Sequence, residues 1–195
     1  DRKIPFVSSW NGMTYFNHET PNYCGNIGVY GNRGANFLIQ NCDRLLVLGS
    51  RLDNRQRSGN ASSFAKSARV LVIDIDDEEL TKYQNNSNYE TGLHFDLSKL
   101  KPILVDIKTP FQSDSWVKYW KETKEKYFGK IASTIPEKYG TISPLEAVRK
   151  INSFIPRNSI VVADDGANLC WVFQSFFRTE QTIYTAGGNS PMGYA

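Results

Sequence analysis

A chain of 195 residues with 22% charged and 40% hydrophobic positions has the make-up of an ordinary globular protein, with length for one good core or two small ones. Its formal net charge of +3 is too slight and too dispersed to point to nucleic acid or an anionic membrane as partner. No apolar run approaches bilayer-spanning length, and no secretory leader pattern is present. The 3 cysteines form no ligand set with His18 or His94, which argues for reduced thiols in a cytoplasmic protein and against a metal site in this stretch.

In chain order, residues 4–8, 45–49 and 70–74 are short apolar runs bounded by polar residues or glycine. Such runs predict strands buried on both faces of a parallel sheet. Residues 34–41 predict a helix with Ala35, Leu38, Ile39 and Cys42 on one side. Residues 76–82 predict another, with Asp77 and Glu78 in its first turn. A strand near 92–95 and a helix over 98–107 complete an alternating unit. The expected class is α/β, an open parallel sheet with right-handed crossovers.

From Lys108 the texture changes. An amphipathic helix is predicted over 113–128, gathering Trp116, Val117 and Trp120. The lysines of 118–130 interleave with Glu122 and Glu125 as a solvated face. Pro136 and Gly140 mark an aperiodic stretch, so 131–142 is read as a linker between a domain at 1–130 and a second unit at 143–195. That unit opens with a helix over 143–154, where Ser143 is placed as cap, Pro144 at the first position and Glu146 as the partner closing a capping box. A buried strand at 160–163, a helix at 168–177 and a strand at 182–185 follow. These elements are too few to close a core alone, so the chain is expected to be an internal piece of a longer protein.

Three clusters fall where α/β folds place ligands, at the C-terminal ends of strands. The first is the glycine-rich stretch from Gly25 to Gly34, whose backbone amides could approach a phosphate ahead of a helix. The second is Gly49-Ser50-Arg51-Leu52-Asp53-Asn54-Arg55, with two guanidinium forks for a diphosphate around one carboxylate. The third is Asp74-Ile75-Asp76, where Asp74 is the candidate for ribose hydroxyls and Asp76 is equally suited to capping a helix. Each has a bland alternative: a turn, a surface ion-pair knot and a helix cap.

In sequence, these motifs resemble the central domain of acetolactate synthase-type thiamine diphosphate enzymes, which is Rossmann-like and holds FAD in several members. The resemblance implies FAD contacts at Gly28, Val29 and Tyr30, at Gly49, Ser50, Arg51, Asp53 and Arg55, and at Asp74 and Asp96. Tyr30 stands where flavin-holding members usually have histidine. Further on, Ile160 to Gly166 and Trp171 are similar to the opening of the family's thiamine diphosphate domain. The run Gly187-Gly188-Asn189-Ser190-Pro191-Met192-Gly193-Tyr194 resembles its Gly-Gly-x-Gly-x-Met-Gly-Tyr turn. By that match Asp165, Gly166 and Asn168 lie near the diphosphate, Met192 bends the cofactor, and the Ser190 carbonyl faces the aminopyrimidine. Ala167-Asn168 replaces the family's usual Gln-His, and Ser190 a glycine.

The resemblance implies a Mg2+- and thiamine diphosphate-dependent enzyme that decarboxylates a 2-keto acid and transfers the product carbanion equivalent to an acceptor, as in branched-chain amino acid biosynthesis. It implies a cytoplasmic homodimer or homotetramer. The family's metal-binding motif and its first-domain glutamate do not occur here, so no catalytic residue is assigned and the isolated chain is expected to be inactive. The alternative is a non-catalytic nucleotide- or FAD-binding module, or a domain kept for assembly; the 187–194 turn discriminates, because a nucleotide module has no need of it.

Overall fold

The computed structural model describes residues 4–82, 89–106, 114–128, 140 and 142–195. Strands β1 (Phe6–Ser8), β2 (Tyr23–Asn26), β3 (Arg44–Leu48), β4 (Arg69–Asp74), β5 (Tyr89–His94), β6 (Ile160–Ala163) and β7 (Thr182–Thr185) are interspersed with helices. The helices are α1 (Arg33–Asn41), α2 (Asn54–Arg57), α3 (Asp77–Thr81), α4 (Leu100–Asp106), α5 (Asp114–Phe128), α6 (Pro144–Phe154) and α7 (Ala167–Ser175). The expected α/β class holds, and every strand pairing among the described residues is parallel. Among the described residues no helix is long and apolar enough to cross a membrane.

The open sheet expected of the first 107 residues is divided, among the described residues, into β1–β2 and β3–β4–β5, and β6–β7 forms a third sheet in the region read as a separate unit. Described residues up to Asn36 and from Asp114 onward form one compact unit, and those from Phe37 to Asp106 form another. β2 and β3, joined through α1, fall in different units and are not paired. Most of the stretch expected to be a linker, 131–142, lies outside the described residues.

In the second unit, β4 is the middle strand, with Val70, Val72 and Ile73 buried. Burial on both faces was expected of β3 as well, but only Val47 is buried there, while Leu46 and Leu48 are 50% and 42% exposed. Successive side chains of a strand point to opposite faces, and among the described residues one face of this edge strand is uncovered. β6 departs in the same way: Ala163 is buried, but Ile160 and Val162 are largely exposed. Gly92 of β5 sits where a Cβ would come within 3.2 Å of Leu80 Cβ, so its lack of a side chain lets α3 approach the strand.

The first unit draws its core from sequence-distant segments. Trp10 and Met13 pack with Ala163, Leu169, Phe173, Phe176 and Ile183. The Trp10 and Phe173 rings stack with centroids 5.0 Å apart. The Thr14 hydroxyl donates to the Ile183 carbonyl at 2.8 Å and accepts from its N–H at 3.2 Å, satisfying backbone groups of β7. The Arg157 guanidinium spans Glu19 at 2.8 Å and Glu180 at 3.2 Å. His18 is not a surface residue: it is 5% exposed, with Nδ1 3.1 Å from the Arg178 carbonyl oxygen and its ring edge-on to Tyr23. Burial, ahead of the nearby Lys124 and Arg178 charges, lowers its pKa to about 4.

Some local expectations change. Ser143 precedes α6, but its side chain makes no capping hydrogen bond; its carbonyl accepts from Ala147 N at 2.9 Å instead. Thus the capping box with Glu146 is not formed, and the N-terminal signal comes from Pro144 and from the charge of Glu146 in the first turn. β2 has no apolar run to announce it, yet Tyr23, Cys24, Gly25 and Asn26 are all buried. The predicted helix end at Ile107 lies outside the described residues.

Candidate cofactor site

The glycine-rich stretch follows β2 and leads into α1. Its shape is held by two asparagines that sequence reasoning passed over. Asn32 Oδ1 accepts from Asn26 N at 2.8 Å, and its amide nitrogen donates to the Gln174 carbonyl at 2.9 Å. Asn36 accepts from Gly28 N at 3.0 Å and donates to Gly28 O at 2.8 Å. Both polar backbone groups of Gly28 are thereby engaged within the loop. A Cβ on Gly31 would lie 2.5 Å from the Asn26 carbonyl oxygen, so glycine is required here by the loop's own closeness. Val29 and Tyr30 are 56% and 40% exposed, and the Tyr30 ring rests against Trp10 at 5.5 Å.

In the second unit the remaining expected flavin contacts share one edge, the C-terminal ends of β3, β4 and β5. Gly49 N donates to the Ile73 carbonyl at 2.9 Å, and Phe95 N to the Asp74 carbonyl at 2.9 Å. A Cβ on Gly49 would meet Leu97 Cδ1 at 2.9 Å, which places Asp96 beside the same edge. Arg51 is largely exposed and reaches Glu79 at 3.7 Å; Arg55 is exposed as well. The Ser50 hydroxyl donates to Gln56 Oε1 at 3.1 Å.

The carboxylates on this edge serve the nearby backbone. Asp53 accepts from Arg55 N at 2.8 Å and Gln56 N at 3.1 Å, capping α2. Asp74, buried, accepts from Asp76 N at 3.1 Å, and Asp76 caps α3 through Glu78 N at 2.9 Å. Asp96 accepts from Ser98 N at 2.9 Å, and that contact holds its carboxyl below the usual range. Exposed guanidinium groups beside capped turns fit a diphosphate in type and charge.

The third group stands at the ends of β6 and β7, where Ala163 pairs with Thr185. Asp164, Asp165 and Gly166 lead into α7, with Gly166 at φ 107° as its N-cap. Asn168 Nδ2 donates back to the Asp164 carbonyl at 3.1 Å. Beyond β7 the chain turns through Ser190 N and Asn189 N, both bonded to the Ala186 carbonyl, at 2.9 and 3.1 Å. Ser190 adopts φ 49°, a left-handed conformation usual for the glycine that stands there in the resembled motif. Met192 is 84% exposed. A large apolar side chain displayed on a bonded turn, beside the N-terminus of a helix, fits a cofactor carrying an apolar ring system and a diphosphate. Among the described residues no three His, Cys, Asp or Glu side chains gather as a metal site.

Residues 1–92 match the family described as the thiamine pyrophosphate enzyme, central domain. The acetolactate synthase large subunit of Cyanidium caldarium is 30% identical over 98% of this chain and 32% of its own length. The large subunit from Lactococcus lactis is also 30% identical, over 98% of this chain and 32% of its own length. The isozyme 2 large subunit of Escherichia coli is 26% identical over 98% of this chain and 33% of its own length. The chain therefore spans about a third of the length of these relatives. Residues 1–92 thus match the central domain of the thiamine pyrophosphate enzymes, and the chain is similar over nearly its whole length to acetolactate synthase large subunits.

Proposed function

We propose that the chain serves within a thiamine diphosphate- and Mg2+-dependent enzyme that decarboxylates a 2-keto acid and ligates the product to an acceptor carbonyl. The carrying observation is the turn after β7, which displays Met192 to solvent beside the Gly166 start of α7. Thiamine diphosphate, when bound, supplies the carbon nucleophile and the electron sink. In this reading Met192 props the cofactor, Ser190 offers its carbonyl to the aminopyrimidine, and Asp165, Gly166 and Asn168 receive the diphosphate. The chain is read as a central domain at 1–130, a linker at 131–142 and the opening of the cofactor domain at 143–195. A cytoplasmic homodimer or homotetramer completes the proposal.

The test is calorimetric titration of the full-length enzyme with thiamine diphosphate and Mg2+, paired with a keto-acid decarboxylation assay. Micromolar or tighter binding, weakened by Met192→Gly, is expected; absence of binding by the full-length enzyme sinks the reading. The isolated chain is expected neither to bind the cofactor tightly nor to turn over.

The exposed arginines on the β3–β5 edge favour a second ligand, FAD or another nucleotide, in that unit. Arg51 and Arg55 would hold its diphosphate and Asp74 its ribose, with Gly49, Ser50, Asp53 and Asp96 as further contacts. Arg51→Ala should cost roughly 1.5–3 kcal/mol of FAD or ADP affinity, about tenfold to over a hundredfold. Binding that the substitution leaves unchanged would reject the role of Arg51.

A further inference from the structure

The carboxylate of Asp164 does something no other described aspartate does. It sits directly after β6 and accepts hydrogen bonds from a turn some thirty residues away. Gly193 N lies 3.0 Å from Oδ1 and 2.8 Å from Oδ2, and Tyr194 N lies 3.1 Å from Oδ1. Asp165 N adds a local bond at 2.8 Å. The amides of Gly193 and Tyr194 immediately follow Met192, so the bonds anchor the far side of the turn whose near side is closed by the Ala186 carbonyl.

The same residue governs the other half of the site. Its main-chain carbonyl accepts from Asn168 Nδ2, and its neighbours Asp165 and Gly166 form the entry to α7. Asp164 thus ties the β6–α7 entry to the turn after β7. Its carboxyl lies below the usual range, with the Gly193 N–H as the leading cause, so the acceptor is ionised near neutrality.

We infer that Asp164 is a positioning residue: its carboxylate clamps the Gly193 and Tyr194 amides and so fixes where Met192 stands relative to the start of α7. This rests on the thiamine diphosphate reading of that site. An ionised acceptor suits the task because bonds from N–H to carboxylate are shorter and stronger than neutral ones, and two successive amides on one carboxylate define an orientation as well as a distance.

The experiment uses the full-length enzyme with Asp164→Ala and Asp164→Asn, read by amide hydrogen exchange and by thiamine diphosphate titration with Mg2+. In Asp164→Ala the Gly193 and Tyr194 amides should exchange faster and the cofactor dissociation constant should rise, each by about tenfold or more, the scale of one lost charge-assisted bond. Asp164→Asn, which keeps one acceptor oxygen, should lie between. Exchange at Ile183 N, bonded to Thr14, reports that the fold is intact and should not change. Unchanged exchange at Gly193 and Tyr194 overturns the clamp. Released amides with unaltered cofactor affinity overturn the positioning role. A wild-type enzyme that fails to bind thiamine diphosphate, with the amides still released by Asp164→Ala, removes the cofactor reading and this role together, and leaves the clamp as a purely structural bond.

Discussion

The two strand-end regions use aspartate in opposite ways. On the β3–β5 edge, Asp53, Asp74, Asp76 and Asp96 each accept from an amide two or three positions along the chain. At the β6–β7 end, Asp164 reaches Gly193 and Tyr194, 29 and 30 positions away. The first arrangement ends helices and turns, and would form in much the same way in many folds. The second exists only because parallel pairing brings Ala163 beside Thr185. Local caps stabilise the scaffold that carries a site, whereas a long-range carboxylate can set the geometry of the site itself.

That contrast between local and long-range bonding can be broken at several points. Phe173 is 1% exposed and stacks on Trp10 across the chain. Phe173→Ala should destabilise its unit by about 3–5 kcal/mol, the usual scale for a buried aromatic. All 4 tryptophans, Trp10, Trp116, Trp120 and Trp171, belong to this unit, so urea unfolding followed by tryptophan fluorescence reports it directly. A shift under 1 kcal/mol, on the order of a surface change, would mean that this long-range core is not what holds the unit.

The buried His18 gives a smaller, pH-dependent effect. Its pKa falls from 6.5 when unfolded to about 4 when folded, so the unfolded chain binds the extra proton between those values. Stability from this residue is therefore full above pH 6.5 and is lost as pH falls towards 4. The loss should reach about 2 kcal/mol by roughly pH 5. His18→Gln should flatten this slope in urea midpoints measured across that range, and an unchanged slope would assign the pH dependence elsewhere.

Asp53→Ala removes the α2 cap and should cost about 1 kcal/mol, with faster exchange at Gln56 N. Retained protection of that amide would show that the cap is not what ends the chain's free movement there. Smallest of all is Arg157→Ala. Its pairs with Glu19 and Glu180 are about half exposed, so the shift in urea midpoint should be the smallest of the series and should shrink further in high salt. A larger cost would raise this surface ion pair to the rank of the core.

Much of the secondary structure was legible beforehand. β6 and β7 match their predicted spans, and α1, α3, α5 and α7 differ by one or two residues at their ends. These are segments whose apolar period and boundary residues act over a few positions. β2 was missed because Tyr-Cys-Gly-Asn shows no apolar alternation, and it is buried only through pairing with β1 and packing of its aromatic neighbours. Ser143 carried every local sign of a cap, yet its side chain is buried without making that bond. The candidate cofactor residues were found from motif resemblance. The asparagines that shape the glycine loop and the aspartate that clamps the turn were not, since nothing adjacent to them in sequence marks a partner that far away.

By itself, then, the sequence determined the α/β class, the strand–helix order apart from β2, and the strand-end location of the motifs after β3 and β4, because periodicity, glycine placement and capping chemistry are short-range. Only the tertiary structure decided that the parallel strands divide among separate sheets, that Trp10 shares a core with Phe173, and that Asp164 meets Gly193 and Tyr194. Those outcomes depend on which surfaces meet after the chain has folded back on itself, and the free energy of such meetings is carried by burial and by bonds between residues far apart along the chain.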